Sequence, residues 1–118
     1  MVVLAWLVTL LVAALHGYFL WLEMFKWEEP ATRKIFGTDE RFAADSKVLA
    51  ANQGLYNGFL AAGLVLGLLV SGNGRELLYF MLACVTVAGI YGGVTVAVRV
   101  AAVQALPAIL ALVLWFAV

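Results

Sequence analysis

The sequence predicts an all-α fold: an integral membrane four-helix antiparallel bundle with a short interfacial helix in its first loop. Three observations carry that prediction. Of 118 residues, 66% are hydrophobic and only 12% charged, and mean hydropathy is +1.07, well outside the range of soluble domains. Four apolar segments follow one another, about Val2 to Phe25, Val48 to Val70, Leu77 to Val100 and Ala102 to Val118. Each is near the roughly 20 residues that cross a bilayer. Together they occupy nearly the whole chain, so residues 1–118 read as a single four-span domain with no room for a soluble one.

The first segment lacks a positively charged start and runs past the usual length of a signal-peptide core, so it is expected to be a retained span. It should be helical to about Trp27, because Pro30 supplies no backbone N–H. Trp21 and Trp27 suit an interfacial aromatic belt. The loop from Glu28 to Ser46 mixes charges with Ile35, Phe36 and Phe42, and Thr38-Asp39-Glu40 has the character of a helix start. The expected interfacial helix is placed there.

The second span carries Asn52, Gln53, Tyr56 and Asn57 in its first turns, within a sector of about 140°. Its Gly54, Gly58, Gly63 and Gly67 recur at four-residue spacings that let membrane helices approach closely. SGNGR reads as a turn. In the third span Cys84, Ala88, Tyr91, Thr95 and Arg99 form one stripe, with Thr86, Gly89 and Gly93 roughly opposite. The fourth begins near AVQALPA, where Gln104, Ala108, Ala111 and Trp115 share a face and Pro107 falls in the first turns.

Charge is distributed unevenly although the net is zero. Lys26, Arg33, Lys34, Arg41, Lys47 and Arg99 fall at one end of the four-span arrangement and only Arg75 at the other. The positive-inside rule makes the basic end cytoplasmic and puts both termini outside. Acids accompany these bases, so no nucleic-acid partner is expected. A lone Cys84 and a lone His16 suit neither a disulfide nor a familiar metal or haem site, so no metal or cofactor is expected.

The candidate site starts from His16 and Glu23, which share a face of the first span with Thr9, Leu20 and Trp27. Ionisable groups inside a span need a cavity, a partner or water, which makes them functional candidates by default. Glu23, Asn52, Gln53, Tyr56, Asn57, Tyr91, Thr95, Arg99, Gln104 and Trp27 should all lie in the cytoplasmic half, with His16 about 10 Å deeper than Glu23. This reads as a polar pocket for acid/base chemistry on a small amphiphile such as an isoprenoid, quinone or lipid. His16 and Glu23 would handle protons there, and the other polar groups would bind substrate. The alternatives are a small homodimeric proton-coupled transporter, with the glycine seams as dimer contacts, and a structural or accessory membrane subunit.

The segments HGYFLWLEMFKW, NQGLYNGFLAAGL, VAGIYGGVT and VQALPA stand in this order along the chain. With them the sequence resembles a family of small bacterial four-helix membrane proteins catalogued as a domain of unknown function. Ala105 stands where that family's pattern usually has glycine, a small-for-small change. The resemblance implies four helices and no particular reaction.

Overall fold

Backbone chemistry sets where the helices break. A computed structural model describes residues 1–118, with no strand and five helices: α1 (Val2–Phe25), α2 (Pro30–Phe36), α3 (Glu40–Leu69), α4 (Gly74–Thr95) and α5 (Val98–Phe116). Three of them, α1, α4 and α5, are long and apolar enough to cross a membrane. α3 has the length, 30 residues, but the polar groups of its first turns set it apart from those three.

Two sequence expectations are corrected here. The short helix of the first loop is Pro30–Phe36, opened by proline at its first position and closed by Gly37 in the left-handed region, φ 70°. The Thr38-Asp39-Glu40 signal is real but starts the long α3 instead: the Phe42 N–H donates to Asp39 Oδ1 at 2.7 Å, a side-chain cap. The second correction concerns Arg99. The third span ends at Thr95, and Ala97 is extended at φ −163° and ψ 144°. Arg99 therefore belongs to the first turn of α5 and leaves the stripe of Tyr91 and Thr95.

Pro107 consequently lies well inside α5 rather than in its first turns. A proline there removes one N–H and crowds the carbonyl four residues earlier. The chain answers with a π-helical turn over Ala101–Ala105, in which the Leu106 N–H reaches back to the Ala101 carbonyl.

The chain divides into two compact units, Leu15–Phe59 and Met1–Ala14 with Leu60–Val118. The second unit holds the apolar core, built from Ala5, Val12, Leu64, Leu82, Val85, Ala108, Ala111 and their neighbours. Within it Thr9, Tyr79 and Trp115 form a closed polar brace. The Trp115 Nε1–H donates to Thr9 Oγ1 at 2.9 Å, the Thr9 hydroxyl donates to the Ala5 carbonyl at 2.7 Å, and the Tyr79 hydroxyl donates to the Trp115 carbonyl at 3.1 Å. Thr9, expected on a polar stripe with His16 and Glu23, is thus committed to packing.

Glycines mark the closest approaches in this unit. A Cβ on Gly89 would lie 2.6 Å from the Ala105 backbone nitrogen, and one on Gly93 would lie 2.6 Å from the Ala101 Cβ, so α4 seats directly on the π turn. Gly63 accommodates Met81 and Gly67 accommodates Leu78. The glycine seams expected as contacts between two copies are therefore filled from within the chain.

Unit Leu15–Phe59 contains the end of α1, all of α2 and most of α3. Its loop is tied down by side chains. The Trp27 Nε1–H donates to Ser46 Oγ at 3.0 Å and its ring meets Phe36 edge-on at 5.0 Å, while Lys47 pairs with Glu28 at 3.1 Å.

Candidate functional site

The site is built where α3 touches the end of α1. Gly54 and Gly58 make that contact possible. A Cβ on Gly54 would lie 2.8 Å from Met24 Cγ, 3.0 Å from Glu23 Cβ and 3.2 Å from the Leu20 carbonyl oxygen, and one on Gly58 would overlap Leu20. Positions flanking this glycine line turn toward α1 and positions near 160° from it turn away. That geometry divides the four polar residues of α3 into two pairs.

Gln53 and Asn57 form the inner pair. The Asn57 Nδ2–H donates to Glu23 Oε1 at 2.8 Å, and Gln53 flanks the same carboxylate. Asn52 and Tyr56 form the outer pair: like Gln53 both are exposed, but neither bonds Glu23, and the Tyr56 ring meets Phe59 of its own helix edge-on at 5.7 Å. The expectation of one continuous polar sector is corrected accordingly.

Glu23 itself is 2% exposed, and its second oxygen, Oε2, has no hydrogen-bond partner. An unmade bond on a buried polar atom costs about 1–3 kcal/mol, and more where the group is charged. A buried carboxyl with one oxygen anchored by an amide and the other unpaired has the capacity to accept one further hydrogen bond, or to donate one when protonated. His16 is equally buried at 2% exposure, two turns earlier on α1, with its ring edge-on to Phe19 at 5.5 Å.

The structure places the remaining expected site residues elsewhere than around the Glu23 carboxylate. Trp27 is held by Ser46 and Phe36 as described, which makes it an anchor of the loop. Tyr91, Thr95, Arg99 and Gln104 belong to the other unit. There Tyr91 is 70% exposed, the Thr95 hydroxyl donates to the Tyr91 carbonyl at 2.7 Å, Arg99 is exposed, and Gln104 is half-buried in the π turn against Gly89. No group of three or more His, Cys, Asp or Glu side chains suited to a metal ion is present.

Sequence reading also passed over the charged pairs beside the end of α1, Lys26 with Glu29 at 3.2 Å and Lys47 with Glu28 at 3.1 Å. Lys26 and Glu29 are a local pair three residues apart, whereas Lys47 and Glu28 meet only once the loop has folded back onto α3.

The model of the family of proteins of unknown function DUF1304 matches residues 10–116, a span that includes His16, Glu23 and every amide named above. The chain belongs to the DUF1304 family. This DUF1304 chain is also 30% identical over 115 residues to the uncharacterized protein YpaA of Lactococcus lactis subsp. lactis (strain IL1403), an alignment covering 96% of this chain and 97% of that protein. No solved structure matches the DUF1304 chain.

Proposed function

We propose that this DUF1304 protein binds a small amphiphile such as an isoprenoid, quinone or lipid within the membrane and exchanges a proton with its polar group through Glu23. The observation that carries the reading is the Glu23 carboxyl, buried, anchored on one oxygen by Asn57 and unpaired on the other. A structural acid would be expected to have both oxygens satisfied, since each unmade bond is a standing cost. Gln53 and Asn57 act as positioning groups, and His16 is the second proton-handling group of the span.

In this reading α3 is the fourth span. Its 30 residues extend about 45 Å at 1.5 Å each, enough to cross a hydrocarbon core of about 30 Å while its polar first turns stand in the headgroup region. The four spans run antiparallel as a bundle in a bacterial inner membrane. Lys26, Arg33, Lys34, Arg41 and Lys47 put the first loop on the cytoplasmic side and both termini outside.

Native mass spectrometry of protein gently extracted from its own membrane tests the proposal. A monomer that retains a defined amphiphile, and loses it on Glu23→Gln with unchanged folding, supports it and identifies the amphiphile. An empty homodimer would overturn it in favour of proton-coupled transport, and an empty monomer in favour of a structural or accessory subunit.

A further inference from the structure

A second feature of unit Leu15–Phe59 points to a ligand in its own right. Where α1 ends, a cavity of about 340 Å³ opens beside the loop, at the lower end of the volumes that hold small molecules. Met24, Phe25 and Pro30 supply an apolar wall. The polar wall carries two bases and two acids, Lys26 and Lys47 with Glu28 and Glu29. We infer that this cavity binds the phosphoethanolamine headgroup of a membrane phospholipid, its phosphate on the two lysines and its ammonium on the two glutamates.

Position and charge both favour that occupant. The cavity lies immediately after the last turn of a candidate span, with Phe25 66% exposed and Trp21 47% exposed on that turn, so it falls at the level where headgroups sit and aromatic belts form. Its charges balance. A purely anionic headgroup would draw the two lysines to its phosphate and leave both carboxylates unpaired, whereas a zwitterion meets both signs. The primary ammonium also has N–H groups to donate to Glu28 and Glu29, which a quaternary ammonium lacks.

The charged side chains are available for this. The pairs Lys26–Glu29 and Lys47–Glu28 are both partly exposed, with side-chain exposures of 35% and 55% and of 64% and 47%, so breaking them to admit a ligand costs little. Lys26 is also held 5.7 Å from the Trp21 ring centroid, which steers its ammonium toward the membrane boundary. The Glu28 backbone carbonyl accepts from Arg33 Nε at 3.2 Å, which fixes the backbone there, while its side chain is held by the partly exposed Lys47 pair.

The test reconstitutes the full chain in nanodiscs of equimolar phosphatidylethanolamine, phosphatidylglycerol and phosphatidylcholine with matched acyl chains, and reads the retained lipid by native mass spectrometry. Wild type is expected to keep phosphatidylethanolamine several-fold over the other two. Glu28→Gln combined with Glu29→Gln makes the cavity net cationic and is expected to shift the preference to phosphatidylglycerol, at unchanged thermal stability. Equal retention of the three lipids, or a phosphatidylethanolamine preference untouched by the double variant, would overturn the assignment. Displacement of the lipid by soluble O-phosphoethanolamine would overturn its lipid half, by making the occupant a free phosphoamine.

Discussion

Two buried polar clusters of this chain are built from similar parts and end in opposite states. In the Thr9–Tyr79–Trp115 brace, hydroxyl, indole and phenol each find a partner at 2.7 to 3.1 Å. Around Glu23, two amides flank a carboxylate and one of its oxygens is still left without a bond. Satisfied buried networks rigidify a fold, and partly satisfied ones carry a standing cost. The difference separates a brace from a site, and substitutions in the two clusters should therefore differ in sign as well as in size.

The largest effects are expected at a glycine on a close helix contact in each unit. Gly89→Leu drives a side chain into the Ala105 backbone, which cannot yield. It should cost about 3 kcal/mol or more, read as loss of the monodisperse folded species in mild detergent. Gly54→Leu meets chiefly the flexible Met24 side chain, and the Glu23 Cβ next. Its cost should stay near 1–3 kcal/mol, while displacement of Glu23 removes retained amphiphile. A Gly54→Leu protein that keeps its ligand would show that the α1–α3 contact does not set the geometry of the site.

Substitutions in the two clusters should then give opposite signs in thermal unfolding. Thr9→Val leaves the Trp115 indole N–H without its acceptor and should cost about 1–3 kcal/mol, with ligand retention unchanged. Glu23→Leu combined with Asn57→Leu removes the carboxylate and its amide donor together and should be neutral or stabilising, as for other buried polar pairs replaced by apolar groups of similar size, with ligand retention lost. If that double variant destabilises as much as Thr9→Val, the carboxylate is a brace after all.

Much of this was legible before any coordinates. α1 runs Val2–Phe25 as its apolar run and Pro30 require, and Glu23, Gln53 and Asn57 were nominated by polarity alone. What failed did so for physical reasons. The break at Val96–Ala97 carries no glycine or proline, so nothing local separates the third span from the last, and Arg99 was assigned to the wrong helix. Asn52 and Tyr56 share a broad sector with Gln53 and Asn57, and only the contact made by Gly54 decides which pair faces α1. The Thr38-Asp39 cap shows where a helix begins and not how far it runs, so the sequence suggests a short loop helix and a separate span from about Val48 where one helix, Glu40–Leu69, is continuous.

The smallest expected effect tests the same contrast at the loop. Trp27 was nominated for the site and is instead held by a hydrogen bond to Ser46 and by the Phe36 ring. Ser46→Ala removes one neutral, part-buried bond and should cost about 0.5–1.5 kcal/mol. Because the freed indole N–H lies near the surface, water replaces the lost acceptor and the cost falls toward the lower figure. Asn52→Ala, on the exposed face of α3, should change neither stability nor ligand retention. Thermal unfolding with a tryptophan emission difference spectrum reads the Ser46→Ala effect directly, as a small red shift with the amphiphile still bound. Loss of the amphiphile in Ser46→Ala would return Trp27, about one turn beyond Glu23 along the chain, to the site.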